Sequence, residues 1–147
     1  MKWIEPSLDV AYYVGENLRN EDCQEVSLSH GIAPTDAVVH SFLDSQRCSA
    51  FATELGEPCG MAGVVGNRVW MLATKKATVG RHARWQLLTE GRTWVDQCVQ
   101  EVGPLHNYVY AKNDASIKWL KHLGFEVMPP EPYGPCAALF CHFWRDR

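Results

Sequence analysis

The sequence predicts a mixed α/β (α+β) fold, with a central, mostly antiparallel sheet of about seven strands and helices on both faces. Its composition, 46% hydrophobic and 21% charged, is that of an ordinary globular protein. Strand-like and helix-like patterns follow one another as β-α-α-β-β-β-α-β-α-β-β, which requires a sheet covered on both faces. The 147 residues are about one domain's worth, so a single domain over residues 1–147 is expected.

The first third of the chain is predicted to be mainly helical. A short strand at Lys2–Ile4 is followed by Pro6 and Ser7, which signal a helix start. The polar run RNEDCQEV is compatible with a second short helix, and Pro34 opens another one. The apolar positions expected to face inward are Val10, Val14, Leu18, Val39, Phe42 and Leu43.

The middle of the chain is predicted to be an antiparallel meander. Cys48–Glu54 is strand-like, and Cys59–Val65 is apolar on both faces, which is typical of a central strand. Gly66-Asn67 has the composition of a two-residue hairpin turn, so Val69–Ala73 is the returning strand.

The second half alternates between helix and strand. A long helix over His82–Val102 has apolar residues at steps of three and four, and Gly103-Pro104 ends it. Asn107–Ala111 is the next strand, and Asn113 is a good N-cap for a helix over Asp114–Leu123. The remaining elements are Gly124 as the helix C′ residue, a strand at Phe125–Met128, a Pro-rich loop (PPEPYGP) and a last strand at Cys136–Phe143.

Charge and hydropathy exclude several classes of protein. The net charge is 14 − 17 = −3, and a pI near 6.0 argues against nucleic acid as a partner. The charge-free stretch Pro132–Trp144 is shorter than the ~18–20 apolar residues of a membrane span. The N-terminus has no apolar signal-peptide region, so a cytoplasmic location is expected.

The six cysteines indicate reduced thiols rather than disulfides or a metal site. No pair has CxxC spacing, which favours free thiols in a cytosol. A zinc site built from Cys136, Cys141 and His142 is disfavoured, because a strand would point Cys141 and His142 to opposite faces. No metal is therefore expected.

A locally basic segment lies at the start of the longest helix. Lys75, Lys76, Arg81 and Arg84 fall within ten residues, in a chain whose remainder is acidic. Unpaired N–H groups and the helix dipole would favour a bound phosphate or pyrophosphate there. The alternative is that these side chains extend into water or pair with surface carboxylates.

The stretch NDASIKWLKHLGF, from Asn113 to Phe125, resembles a helix motif of the GNAT superfamily of acyl-CoA-dependent N-acyltransferases, N-x-x-[AS]-x-x-L-[YL]-x-x-L-G-F. Spacing alone is equally consistent with a well-capped helix that binds no ligand. More narrowly, WMLAT, NYVYAKNDASIKWLKHLGF and PYGPCAALFCHFW resemble a small family of podophage proteins, described as internal virion proteins or acetyltransferases. That resemblance implies a bacteriophage protein in the host cytoplasm or in the virion.

The resemblance implies acetyl-CoA as the acyl donor and assigns residues to it. The pantetheine arm would pair with the strand end, the pyrophosphate would lie on the loop and helix start, and the Asn motif would bind the arm. The implied cofactor-binding residues are Met71, Leu72, Ala73, Val79, Gly80, Arg81, His82, Arg84, Asn113 and Ser116.

The sequence also departs from the family pattern, which leaves two functions open. The family's [QR]-x-x-G-x-[GA] loop is reduced here to Gly80, and Leu120 replaces the usual acid tyrosine. Tyr108 and Tyr110 share a strand face and could replace it, and Glu25 or Asp22 could be the base; packing and solvated charge are the alternatives. The candidate catalytic residues are therefore Tyr110, Tyr108 and Glu25. The two functions are acetylation of an unknown amine, with a host or phage protein as one option, and a virion-assembly or host-interaction role without catalysis.

Overall fold

The computed structural model describes residues 1–147 as seven strands and five helices. In chain order the elements are β1 Lys2–Ile4, α1 Leu8–Glu16, α2 Asn20–His30, α3 Pro34–Asp44, β2 Arg47–Ala52, β3 Pro58–Val65, β4 Arg68–Ala73, α4 Arg81–Val102, β5 Leu105–Tyr110, α5 Asp114–His122, β6 Glu126–Tyr133 and β7 Ala138–Arg145. The predicted mixed α/β architecture is confirmed. The polar run that was compatible with a second short helix forms α2, an 11-residue helix, so three helices precede β2.

All seven strands form one sheet, in the order β1-β2-β3-β4-β5-β7-β6. Every neighbouring pair is antiparallel except β4 and β5, which run parallel. The predicted hairpin at Gly66-Asn67 is confirmed, because Val65 pairs with Arg68 across it. Parallel neighbours cannot be joined by a tight hairpin, and α4 supplies the crossover that connects β4 to β5.

Helices cover the two faces unequally. On one face, α4 and α5 enclose a core of 14 buried residues, among them Trp94, Leu105 and Phe143. On the other face, α1 and α3 pack over β3 around Val14 and Met61. No helix of the structure is long and apolar enough to cross a membrane.

The prediction for α3 was partly wrong. Val38 is fully buried, whereas Leu43, which was expected to face inward, is 60% exposed. Leu43 lies five residues after Val38, roughly 140° around the helix, so the two cannot share a face. Leu18 is buried as expected, but it lies beyond the end of α1, where it bridges Thr74.

The strand β6 continues through the Pro-rich segment that was predicted to be a loop. It is an edge strand, so prolines cost it few ladder hydrogen bonds, and its register shifts between Val127 and Pro130. The turn after it contains Gly134 at φ +81, where a Cβ atom would lie 2.4 Å from the carbonyl oxygen of Leu28. This turn therefore packs closely against the end of α2.

Candidate functional site

The central feature of the site is a gap where β4 and β5 separate. The two strands pair only at Arg68 and His106. Just beyond that point, the Asn107 side chain donates from Nδ2 to the Val69 carbonyl (2.8 Å) and accepts from the Tyr108 amide (2.9 Å). Asn107 thus takes the place of ladder hydrogen bonds and closes the apex of the gap. It was not among the predicted site residues, since a polar residue within a strand is its only sequence signal.

Below the apex, β4 presents backbone groups to the gap at alternate residues. Val69 is held by Asn107, and both groups of Ala73 are also occupied: its N–H donates to Asp22 Oδ2 (2.9 Å) and its carbonyl accepts from the Arg19 amide (3.0 Å). Leu72 pairs with Met61 of β3, on the side of β4 that faces away from the gap. Of the three strand residues expected to bind pantetheine, Met71 is therefore the one whose N–H and C=O face the gap.

Asp22 is a structural clamp in this arrangement. Its side chain is buried (4% exposed) and also accepts a hydrogen bond from Arg19 Nη2 at 3.0 Å. The start of α2 is thereby fixed to the end of β4, where a strand partner is missing. Because both carboxylate oxygens are engaged, Asp22 is poorly placed to act as the base that the sequence allowed.

Glu25, one turn further along α2, occupies the opposite side of the gap. Its Oε1 accepts from the Tyr110 amide (3.1 Å) and from Asn113 Nδ2 (3.0 Å), so Oε2 remains available. Burial raises the pKa of Glu25 to about 7, although the hydrogen bonds from Asn113 and Tyr110 act in the opposite direction. A carboxylate with a pKa near neutrality is suited to accepting a proton at physiological pH.

Asn113 is the N-cap of α5, as predicted. Its Oδ1 accepts from the Ser116 amide (3.4 Å), while its Nδ2 donates to Glu25. One of the two Nδ2 hydrogens is left for a ligand. The cap therefore also orients the candidate base, a contact between residues 88 apart in the sequence.

The gap opens into a cavity of about 380 Å³ that reaches both faces of the sheet. Ser116, Trp119 and Leu120 of α5 line one side, and Tyr108 and Tyr133 line the other. The indole N–H of Trp119 is buried without a hydrogen-bond partner. Since such unpaired donors are rare in folded proteins and Trp119 lines the cavity, its N–H is a candidate contact for a ligand acceptor.

The two candidate tyrosines share a face of β5, as the alternation of strand residues predicted. Tyr108 stacks on Tyr133 with ring centroids 4.0 Å apart, and it lines the cavity. Tyr110 packs against Phe140 at 5.4 Å and is not among the cavity-lining residues. The geometry therefore favours Tyr108 over Tyr110 as a proton donor.

The basic segment forms an exposed loop and the first turn of α4. Gly80 precedes the helix at φ +87, and no side chain caps the helix N-terminus. Lys76 pairs with Glu57, so the surface-pairing alternative holds for that residue, whereas Arg81 and Arg84 form no ion pair. The N–H groups in the first turn of α4 therefore have no side-chain cap. The nearby predicted site residues are Val79, His82, Arg81 and Arg84.

The structure keeps the zinc candidates apart. Cys141 is buried in the core under α4, whereas His142 lies on the other face, with its Nε2 3.2 Å from His106 Nδ1. No group of three or more potential metal ligands occurs anywhere in the chain.

No family model matches the sequence, and no curated protein matches it either. Among solved structures, the chain is similar to a ribosomal-protein-alanine N-acetyltransferase from Brucella melitensis over 100% of both chains, with TM-score 0.69 and 14% identity. The fold is that of the GNAT N-acetyltransferases. The comparisons give no support to the narrower resemblance to phage internal virion proteins.

Two further similar structures contain the donor or its product. A GNAT superfamily phosphinothricin acetyltransferase from Sinorhizobium meliloti, in complex with acetyl-CoA, has TM-score 0.68 and 12% identity, covering 99% of this chain and 87% of that one. An aminoglycoside acetyltransferase in complex with coenzyme A has TM-score 0.64 and 15% identity, covering 99% and 94%. At these identities the similarity shows the fold alone.

Proposed function

We propose that this protein is an N-acetyltransferase that transfers the acetyl group of acetyl-CoA to an amine. The observation that carries the proposal is Glu25, a carboxylate with a pKa of about 7 beside the β4–β5 gap. A protonated amine must lose a proton before or as it attacks a thioester, and a base of matched pKa is suited to that step.

The gap has the chemical features needed to bind the donor. The Met71 N–H and C=O can pair with the amide groups of the pantetheine arm, in the manner of an added strand. The orphaned Trp119 N–H can donate to a pantetheine carbonyl. The uncapped N-terminus of α4, with Arg81 and Arg84, supplies N–H groups and positive charge for the pyrophosphate.

The reaction is an acyl transfer with one proton leaving the amine and one joining the thiolate. The amine nitrogen attacks the thioester carbonyl carbon, and Glu25 accepts the amine proton directly or through a water molecule. The C–S bond then breaks, and the coenzyme A thiolate takes a proton from Tyr108 or from solvent.

Coenzyme A release in the presence of mixed amines and host lysate proteins tests this proposal. The lysate is included because the narrower resemblance to podophage proteins favours an acceptor in an infected cell. A thiol reagent follows release, with a blank lacking acetyl-CoA for the six cysteines of the protein itself. Acetylated product is identified by mass spectrometry.

The variants separate the roles of the side chains. Glu25→Gln should lower the rate by about 10²–10⁴-fold, since general base help is lost. Tyr108→Phe should lower it more than Tyr110→Phe, and Leu120→Tyr should raise kcat at unchanged KM if thiolate departure is limiting. Release no faster than hydrolysis in buffer, for every acceptor and variant, would overturn the enzyme proposal.

A further inference from the structure

A cluster of basic side chains lies at the closed end of the cleft, on the face that carries α2. Arg68 at the start of β4 is paired with His106 of β5, and both side chains lie on this face. His142 of β7 contacts His106, and His30, at the end of α2, is close enough to Arg68 for the charge of the arginine to affect it. Four elements thus bring one arginine and three histidines together.

Arg68 is the permanent charge of this cluster, and it has no counter-ion. It takes part in none of the chain's six ion pairs, although Glu25 and Asp44 line the same cavity. Burial and the charge of Arg68 lower the pKa of His30, and burial, His142 and Arg68 lower the pKa of His106. Both effects favour the neutral imidazole, which keeps one N–H donor, over a second positive charge beside the guanidinium.

Arg68, His30 and Glu25 line one cavity, whereas His106 and His142 are not among its lining residues. Glu25 is bonded to the amide of Tyr110, four residues along β5 from His106. At about 3.3 Å per residue, the backbone positions of His106 and Tyr110 are about 13 Å apart. The wall between them is aromatic, because Tyr108 and Tyr133 stack there.

We propose that the acceptor is a small amine with a carboxylate at its far end, held so that the amine reaches Glu25 while the carboxylate pairs with Arg68. A carboxylate matches the planar guanidinium in a two-point contact, and His30, which lines the same cavity, can add an N–H donor. Methylene groups between the two ends pack on Tyr108 and Tyr133. A diamine would instead place a second positive charge beside Arg68. This inference rests on the proposed acetyltransferase function.

Three six-carbon amines of matched length test the proposal: 6-aminohexanoate, hexylamine and 1,6-diaminohexane. With saturating acetyl-CoA, kcat/KM should be at least tenfold higher for 6-aminohexanoate than for hexylamine, and lowest for the diamine. Among ω-amino acids, 4-aminobutanoate should be a poorer acceptor than 6-aminohexanoate, because it cannot reach both ends.

Arg68→Gln should reduce the preference for 6-aminohexanoate over hexylamine to near one, mainly through KM. Lys118→Gln removes the same charge from an exposed position on α5 and should leave the preference intact. Circular dichroism melting of both variants establishes that they are folded.

The outcomes distinguish this inference from the proposed function. Acetylation of all three amines at similar kcat/KM, or an equal loss for all three in Arg68→Gln, overturns the carboxylate contact and leaves the acetyltransferase standing. If acetyl-CoA binds but no amine is acetylated, calorimetry with 6-aminohexanoate and hexylamine decides: tighter binding of 6-aminohexanoate supports the contact, and equal or absent binding overturns it.

Discussion

Two opposing effects set the pKa of Glu25. Burial favours its neutral form, while the N–H groups of Tyr110 and Asn113 favour the carboxylate. The balance leaves its pKa at about 7, well above the ordinary value of 4.5. Such a group influences the stability of the protein as well as its chemistry.

Glu25→Gln should change how stability depends on pH. The folded-state pKa is raised, so the native protein binds more protons than the unfolded chain between pH 4.5 and 7, and stability falls as pH rises through that window. Between pH 5 and pH 8, the fall in the free energy of unfolding caused by Glu25 is about 2–3 kcal/mol. Urea denaturation at pH 5 and pH 8 should show this fall in the wild type and a flatter profile in Glu25→Gln. Equal slopes in both proteins would contradict the assigned pKa.

The two contacts of Asn113 can be separated by substitution. Asn113→Ala should cost about 1 kcal/mol of stability because the cap of α5 is lost, whereas Asn113→Ser should retain most of it. Both remove the hydrogen bond that lowers the pKa of Glu25, so the pH at which kcat/KM is half-maximal should move upward. A stable Ser variant with an unchanged pH profile and unchanged coenzyme A affinity would show that Asn113 is only structural.

Residue-level predictions succeeded where the signal is local. The Asn113 cap depends on its own side chain and the next three residues, so the sequence contains it. The contact of Glu25 with the end of β5 joins residues 85 apart, and no local pattern encodes it. Asn107 was missed for the same reason, because its role exists only once β4 and β5 diverge.

At the scale of elements, the end of β4 is held by α2 instead of by a neighbouring strand. Asp22→Ala should cost about 3 kcal/mol, because it removes the acceptor of the Ala73 N–H and leaves the half-buried Arg19 with only its 4.0 Å ion pair to Glu21. Asp22→Asn should cost less, since it keeps an acceptor for Ala73. Glu16→Ala, at an exposed position on α1, is the matched control. Thermal or urea unfolding gives these values, and a loss at Asp22 no larger than at Glu16 would contradict the clamp.

A helix or strand was predictable from the sequence when its own residues carry a clear periodic pattern. The β3–β4 hairpin and α4 were anticipated within one or two residues, because their apolar patterns and breakers are strong. The strand β6 was not, since its prolines are tolerated only by its position at the sheet edge. Sheet order is a property of the whole fold, and a local sequence window does not contain it.

At the scale of the whole molecule, the proposed donor site would extend from the central gap to the start of α4. Arg81→Ala combined with Arg84→Ala should weaken acetyl-CoA binding by about 2–4 kcal/mol, because two charge-assisted contacts are lost. The loss should shrink at high salt, since both side chains are exposed. Calorimetry at two ionic strengths measures it, and unchanged affinity would place the pyrophosphate elsewhere.

Calorimetric titration of acetyl-CoA into the wild-type protein tests the central claim most directly. We expect saturable one-to-one binding, weakened about three- to tenfold in Trp119→Phe, which removes the unpaired N–H but keeps an aromatic ring. No heat from the wild type at millimolar acetyl-CoA would contradict the claim that the β4–β5 gap is an acyl-CoA site.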